Sequence, residues 1–146
     1  MTNQPLVTII MAVKDTAPFL RDCLDSVIAQ TYQNWELIAV NDHSSDESPE
    51  ILQEYAARDS RVRFFNSDQP RLIPTLQVGY RETKGTLINR MDSDDKMPDY
   101  KLQVLVDEWL KYGKGTVIAG GTKHFVDEGN VGEGFVKYEE WLNEVA

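Results

Sequence analysis

Blocks of apolar residues alternate with amphipathic stretches along the first 120 residues and predict strands and helices in regular succession. Continuous β-rich runs, as expected for strands buried on both faces, predict five strands: Leu6–Val13, Trp35–Val40, Val62–Phe65, Thr86–Met91 and Thr116–Ala119. Apolar residues at helical spacing predict four intervening helices: about Pro18–Ala29, Glu47–Arg58, Leu72–Thr83 and Pro98–Tyr112. This order predicts an α/β fold, with a mostly parallel central sheet and helices on both faces.

Two further features of the pattern concern Gly85 and the residues after Gly121. Gly85 follows the third helix and is predicted to be its C′ residue. After Gly121 the pattern weakens, and Lys123–Asp127 predicts at most one more strand, followed by a glycine-containing loop over Glu128–Gly134. The last apolar side chains have helical spacing and predict an amphipathic, aromatic-rich helix: Phe135, Tyr138, Trp141, Leu142 and Val145. We expect one domain over residues 1–146, with its core in residues 5–121.

Composition and charge narrow the class of protein. A chain of 146 residues can build one real core. The net charge is -9, and no cluster of Lys and Arg interrupts the acidic residues, which argues against nucleic acid and anionic membranes as partners. Cys23 is the one cysteine and falls in an apolar helical stripe, so we expect a core residue and a reducing compartment. The expected location is cytoplasmic, with peripheral attachment at the inner face of the membrane as an alternative.

The tetrad Asp92-Ser93-Asp94-Asp95 follows the fourth predicted strand. Three carboxylates in four residues repel one another, a cost that a bound cation relieves. Mg²⁺ and Mn²⁺ take carboxylate oxygens together with the oxygens of a bound diphosphate. A metal-assisted diphosphate site is therefore one interpretation. A solvated turn, in which Ser93 or Asp95 caps the next helix, is the other.

The loop after the second strand carries a second candidate. Asp42 lies at the strand tip, where a carboxylate can accept hydrogen bonds from a ribose hydroxyl or a base N–H. Ser45 or Asp46 is expected to cap the following helix. Arg71, in the loop before the third helix, is placed either to meet a phosphate or to be solvated. His43 and His124 have no metal-ligand spacing partner and are expected at the surface.

Other nucleotide sites are excluded by their missing motifs. The first turn, residues 12–18, has no glycine and so lacks the fingerprint of a dinucleotide-binding fold. No Walker A segment is present. A phosphotransfer or receiver-like domain would need its acidic cluster near the first strand, whereas here it follows the fourth.

Four segments together resemble the family 2 glycosyltransferases of the GT-A fold, over about residues 5–121. They are VTIIMAVKD (7–15), LDSVIAQTY (24–32), WELIAVNDHSSD (35–46) and MDSDD (91–95). The resemblance implies a Rossmann-like nucleotide-diphospho-sugar transferase of hexosyltransferase type. It also implies Mn²⁺ or Mg²⁺ as cofactor, a nucleotide-sugar donor with UDP favoured, and inverting transfer to the hydroxyl of a saccharide or other acceptor.

The resemblance also assigns roles to individual residues. Asp42 matches the aspartate that contacts uracil or ribose, and the backbone of Ala12, Val13 and Lys14 matches the segment that cradles the base. Asp92 and Asp94 match the family's D-x-D metal motif, with Asp94 the more direct ligand and Asp92 nearer the ribose and sugar. Asp95 matches a supporting contact. Ser93 and Arg71 complete the predicted nucleotide-binding set.

The sequence departs from the family pattern at several positions. Proline and an aromatic residue are common where this chain has Ala12 and Lys14, and glycine and asparagine where it has Arg71 and Gln77. These differences concern base stacking and leave the fold prediction unchanged.

The catalytic base is the larger departure, because the family places an acidic base well downstream of the D-x-D. The late acidic doublet Glu139-Glu140 is predicted to be a solvated helix face. We therefore expect the base beyond Ala146, and the chain to be the donor-binding part of a longer enzyme. Residues 122–146 would begin an incomplete acceptor-side region, and self-association through the C-terminal aromatic stripe is expected. A non-catalytic nucleotide-sugar-binding module is the alternative.

Overall fold

The computed structural model describes residues 4–126 and 128–145, which form four strands and five helices. The elements in chain order are β1 (Val7–Val13), α1 (Ala17–Ile28), β2 (Trp35–Asn41), α2 (Ser48–Arg58), β3 (Val62–Asn66), α3 (Leu72–Arg81), β4 (Leu87–Asp92), α4 (Lys101–Tyr112) and α5 (Glu133–Val145). The chain divides into two compact units, Met1–Gln103 and Val104–Ala146. Within the described residues, no helix has the length and apolar character needed to cross a bilayer.

The sheet lies in the first unit and is parallel throughout, with strand order β3-β2-β1-β4. The chain moves outward from β1 to β2 and β3, and then returns to the other side of β1 for β4. Right-handed crossovers therefore put α1 and α2 on one face of the sheet and α3 on the other. In agreement, α1 packs on α2, and α3 packs on β1 and β2. The predicted parallel sheet with helices on both faces is confirmed.

The core lies around β1 and β2, whose side chains are almost all buried, as their continuous apolar runs predicted. Cys23 is fully buried in α1, which confirms its assignment to the core. Burial, with the nearby carboxylates of Asp95, Asp94 and Asp92, raises the pKa of the Cys23 thiol to about 12. Because the thiolate is the reactive form, this thiol is inert at neutral pH.

The predicted strands beyond α4 are wrong. Residues 116–119 and 123–126 have no strand structure, and Asp127 lies outside the described residues. Val117 is 91% exposed, and the sheet formed by the described residues does not include this segment. Gly113 and Gly115, both at positive φ, follow the end of α4 at Tyr112. The last predicted helix is confirmed as α5.

Gly85 has a different role from the predicted one. Helix α3 ends at Arg81, and its C-cap residue Glu82 keeps a right-handed conformation. A Cβ on Gly85 would lie 2.6 Å from the amide nitrogen of Thr8 and 2.7 Å from the carbonyl oxygen of Leu6. Glycine is required here because the chain passes closely against β1, and not as a left-handed helix cap.

Candidate functional site

A cavity of about 600 Å³ opens at the carboxyl-terminal edge of the sheet. Its walls come from the ends of β1, β2 and β4 and from the loop before α3: Ala12, Val13, Lys14, Asp42, Pro70, Arg71, Leu72, Asp92, Ser93 and Asp94. All eight residues that the sequence assigned to nucleotide or metal binding are among them. Pro70 and Leu72 were not foreseen, although their position beside Arg71 in the chain was a signal for them.

Strand register explains why these residues meet. The central strand β1 pairs Ala12 with Asp92 of β4 and Val13 with Asn41 of β2. The loops after all three strands therefore open over one edge of the sheet. In parallel sheets this edge forms the ligand crevice.

Asp42 is buried and anchors the loop that carries Arg71. Its side chain is 7% exposed, and its two carboxylate oxygens accept the N–H of Arg71 at 3.0 and 3.1 Å. The Nζ of Lys14 donates to the carbonyl oxygen of Asp42 at 3.1 Å, and Nδ1 of His43 lies 3.5 Å from Oδ1. A carboxylate offers about four acceptor positions, so Asp42 keeps capacity for a ligand donor. The sequence did not predict this anchoring role.

Backbone strain is concentrated in the loops around the cavity. Among the described residues, three that are not glycine have positive φ: Asp15 (50°), His43 (55°) and Arg71 (97°). They lie in the loops after β1, β2 and β3. Left-handed φ is tolerated by Asp and His, whereas Arg71, with ψ at 152°, occupies a region that is essentially restricted to glycine.

Hydrogen bonds join the loops after β1 and β2. The Asp15 carboxylate accepts the backbone N–H and the hydroxyl of Ser45, and the backbone bond is the main cause of the lowered pKa of Asp15. Asp46 accepts the N–H of Ala17 at 2.9 Å and of Ser48 at 3.0 Å. Asp46 thus accepts hydrogen bonds from the first residues of both α1 and α2. Of the two predicted caps, Asp46 is the one that acts.

The acidic turn, residues 92–95, follows β4 directly. The N–H of Asp95 donates to the carbonyl of Asp92 at 3.3 Å, and Nη2 of Arg90 lies 2.6 Å from Oδ1 of Asp92. Partial desolvation and the charges of Asp94 and Asp92 raise the pKa of Asp95, which is the expected repulsion. Helix α4 begins only at Lys101, whose N–H donates to Pro98, so the capping interpretation of Ser93 and Asp95 is wrong. The sequence did not single out Arg90.

The acidic turn fits a cation that arrives with a diphosphate. Within residues 4–126 and 128–145, no three or more His, Cys, Asp or Glu side chains are grouped to hold a metal ion. Asp92 and Asp94 nevertheless both line the cavity and offer hard oxygen ligands. Mg²⁺ is usually held by one or two carboxylates, with phosphate oxygens and waters completing its coordination. The donor set suits that mode and does not form a cage made by the protein alone.

Contacts within the second unit bear on two predictions, those for His124 and Glu139. The carboxylate of Glu139 accepts the backbone N–H of His124, and the His124 ring lies 5.5 Å from the Phe135 ring. The side chains of His124 and Glu139 are 27% and 25% exposed, so both are only partly accessible to solvent and less exposed than predicted. Glu140 is exposed, as predicted. In the first unit, the His43 side chain is half-exposed, which also agrees with prediction.

A family model and individual relatives both relate this chain to known glycosyltransferases. The model of the family described as "Glycosyl transferase family 2" matches residues 8–140. An uncharacterized glycosyltransferase of Bacillus subtilis, EpsJ, is 36% identical over 104 residues. That match covers 71% of this chain and 30% of EpsJ, so the chain spans less than a third of that relative.

Two solved structures share the fold. TarS of S. aureus in complex with UDP superposes with a TM-score of 0.66 at 15% identity, over 79% of this chain and 38% of TarS. The mannosyltransferase PcManGT of Pyrobaculum calidifontis, in complex with GDP-Man and Mn²⁺, gives 0.66 at 23% identity, over 75% and 33%. At these identities the likeness establishes the fold and confirms the GT-A prediction.

Proposed function

Because the chain belongs to glycosyl transferase family 2, we propose that its cavity binds the nucleotide diphosphate of a sugar donor together with Mn²⁺ or Mg²⁺. The observation that carries this proposal is the cavity itself. One crevice combines the buried Asp42, the carboxylates of Asp92 and Asp94, and two cationic side chains, Lys14 and Arg71. A diphosphate accompanied by a cation matches that mixture of charges.

Asp42 is proposed to hold the nucleoside end of the donor. Its carboxylate keeps acceptor positions beyond the two bonds to Arg71, and the backbone of Ala12, Val13 and Lys14 lines the same wall. UDP is favoured by the resemblance, and TarS, which shares the fold, was solved with UDP. PcManGT was solved with GDP-Man, so the base is part of the proposal and is open to test.

At the diphosphate end, Asp94 is proposed as the direct cation ligand and Asp92 as the residue nearer the ribose and sugar. Ser93, between them, is proposed to contact the donor. When bound, the cation would neutralise charge on the leaving diphosphate. Arg71 and Lys14 add positive charge from the protein and orient the phosphates.

The proposed reaction is inverting transfer of a hexosyl group to an acceptor hydroxyl. It requires a carboxylate base, and the cavity-lining carboxylates, Asp42, Asp92 and Asp94, already have binding roles. We propose that the base belongs to residues outside this chain. A non-catalytic donor-binding module is the second candidate, because no other carboxylate of the described residues lines the cavity.

Calorimetry with UDP tests the binding proposal. We expect Mn²⁺ to strengthen UDP binding by at least about tenfold, or 1.4 kcal/mol, since three nearby carboxylates oppose a bare diphosphate. Asp94→Asn should remove most of that gain. Asp99→Asn, which makes the same change of charge outside the cavity, should keep it.

Equal UDP affinity with and without Mn²⁺ would contradict the metal role of Asp92 and Asp94. Parallel titrations with Mg²⁺ and with GDP identify the preferred cation and base.

A further inference from the structure

We propose that α1 and the residues that flank it position the acidic turn, with the hydroxyl of the N-cap residue Thr16 as the positioning group on one side and Ser26 and Gln30 on the other. This inference rests on the proposed function, because the acidic turn matters as the place where the cation and diphosphate bind. It concerns residues that do not themselves line the cavity.

Thr16 is the N-cap residue of α1, yet its side chain makes no cap hydrogen bond. A threonine at this position ordinarily turns its hydroxyl toward the first free N–H groups of its own helix. Here the Thr16 hydroxyl lies 3.0 Å from the hydroxyl of Ser93 in the acidic turn. The carboxylate of Asp46 accepts the N–H of Ala17 in its place. Asp46 therefore provides a hydrogen-bond acceptor at the start of α1, and the Thr16 hydroxyl is free to bond to Ser93.

Ser93 is a suitable point at which to hold the turn. It is buried and lies between Asp92 and Asp94 in the chain, so a fixed Ser93 fixes the backbone of both aspartates. The Cys23 thiol, also in α1, donates to the Asp92 carbonyl at 3.6 Å. Both contacts approach from the side of α1, and neither involves the carboxylate of Asp92 or Asp94.

The other end of α1 holds the segment that follows the acidic turn. Gln30 is fully buried, donates to the Pro98 carbonyl at 2.7 Å and accepts the N–H of Leu102 at 3.0 Å. The Ser26 hydroxyl accepts the N–H of Met97 at 3.0 Å. Ser26 lies in the last turn of α1, and Gln30, just after the helix ends, donates to the Ser26 carbonyl at 3.1 Å. Helix α1 and the residues that flank it thus hold the chain on both sides of Asp94 and Asp95.

These contacts oppose the charge repulsion within the acidic turn. Three neighbouring carboxylates push a free loop toward open conformations. Hydroxyl, thiol, amide and backbone contacts oppose that expansion without neutralising the carboxylates. They leave Asp94 available to a cation.

Thr16→Val tests the proposal, with Thr83→Val as the matched control. Both threonines are half-buried, and the Thr83 hydroxyl bonds to the Tyr80 carbonyl at the end of α3, away from the cavity. In ligand-free protein, Thr16→Val should speed amide hydrogen exchange in residues 92–97 roughly two- to tenfold, as expected for one lost neutral hydrogen bond. Thr83→Val should not change exchange there. Thr16→Ser, which keeps the hydroxyl, should restore wild-type exchange.

Binding supplies the second measurement. Thr16→Val should weaken UDP binding in the presence of Mn²⁺ by roughly two- to tenfold. Binding of uridine without metal should be unchanged, because the nucleoside end of the cavity is built from other loops. Combining Thr16→Val with Ser93→Ala should cost no more than Ser93→Ala alone, since Thr16 acts through Ser93.

Wild-type exchange in Thr16→Val, or additive losses in the double variant, would overturn the proposal. If the wild-type protein bound no UDP with Mn²⁺, the proposed function would fail, and the exchange comparison would still decide whether Thr16 positions the turn. If Thr16→Val did not fold, Thr16→Ser and Thr16→Ala would provide the same comparison with and without a hydroxyl.

Discussion

Arg71 combines an unfavourable backbone conformation with a functional position. Its φ of 97° and ψ of 152° are typical of glycine and cost a larger residue about 1–3 kcal/mol. Such strain persists where neighbours enforce it, and here both oxygens of the Asp42 carboxylate hold the Arg71 N–H. The guanidinium is thereby held on a loop that lines the cavity, where a diphosphate is proposed to bind.

At this residue we predict opposite effects on stability and binding. Arg71→Gly should raise the free energy of unfolding by about 1 kcal/mol, because released strain exceeds the added entropy of the unfolded chain. Arg71→Ala should bring no such gain, since alanine is strained in the same conformation. Both variants should weaken UDP binding about tenfold through loss of one charge-assisted hydrogen bond.

Urea unfolding and UDP titration of the two Arg71 variants measure these effects. A glycine variant no more stable than the alanine variant would show that the backbone at Arg71 carries no strain.

At the scale of elements, a buried polar cluster joins β1, β2 and the chain entering β4. Glu36 of β2 accepts the Thr8 hydroxyl and the N–H of Lys84, both at 2.7 Å, and Arg63 of β3 lies 3.5 Å away. The Thr8 hydroxyl in turn accepts the N–H of Gly85. Burial opposes ionisation of Glu36, but these hydrogen bonds and the charge of Arg63 outweigh it and lower the pKa of Glu36.

This cluster should make stability depend on pH. The folded pKa of Glu36 lies below its ordinary value of 4.5, so its contribution is present above about pH 4.5 and is lost as pH falls through the folded pKa. Glu36→Gln should cost about 1–3 kcal/mol of unfolding free energy at pH 7, and the difference from wild type should shrink below pH 4.5.

Urea unfolding between pH 3 and pH 7 gives the test, with Glu140→Gln as the exposed control. A difference between Glu36→Gln and wild type that stays constant across this range would rule out the linkage.

At the scale of the whole molecule, α5 in the second unit presents an aromatic stripe. Phe135 is 61% exposed, Tyr138 50% and Trp141 53%, and the rings of Tyr138 and Trp141 stack 5.7 Å apart. Contiguous exposed apolar side chains of this kind mark interaction surfaces. Self-association through the stripe remains our prediction for the isolated chain.

Light scattering should show concentration-dependent oligomers of the 146-residue chain. The double substitution Tyr138→Ser and Trp141→Ser should shift the chain toward monomer, whereas Glu140→Ala and Glu144→Ala on the same helix should not.

A panel of UDP-sugars should give no transfer to acceptors with this chain, because the proposed base lies elsewhere. Robust transfer by a monomer would show that the base is within this chain and that Glu139, Glu140 and Asp127, which lies outside the described residues, need testing.

The sequence by itself determined the order of the elements from β1 to α4 and the parallel sheet, because burial on both faces produces continuous apolar runs and helices produce a spaced stripe. The sequence also predicted that the candidate-site residues lie at one edge of the sheet. Asp42 and Asp92 end parallel strands, and the carboxyl ends of such strands meet on the same side of the sheet. Local chemistry placed the cap at Ser45 or Asp46, and hydrogen-bond geometry then selected Asp46.

Only the tertiary structure decided how the site is held. The Asp42–Arg71 and Thr16–Ser93 hydrogen bonds, and the contacts of Gln30 with the segment after the acidic turn, join residues that are distant in sequence. The hydrophobic periodicity of the sequence does not predict such contacts. The same reason explains the missing strand at residues 116–119, since a strand needs a partner edge as well as β-rich composition. Gly85 likewise follows from a close approach to β1 that exists only once the sheet has formed.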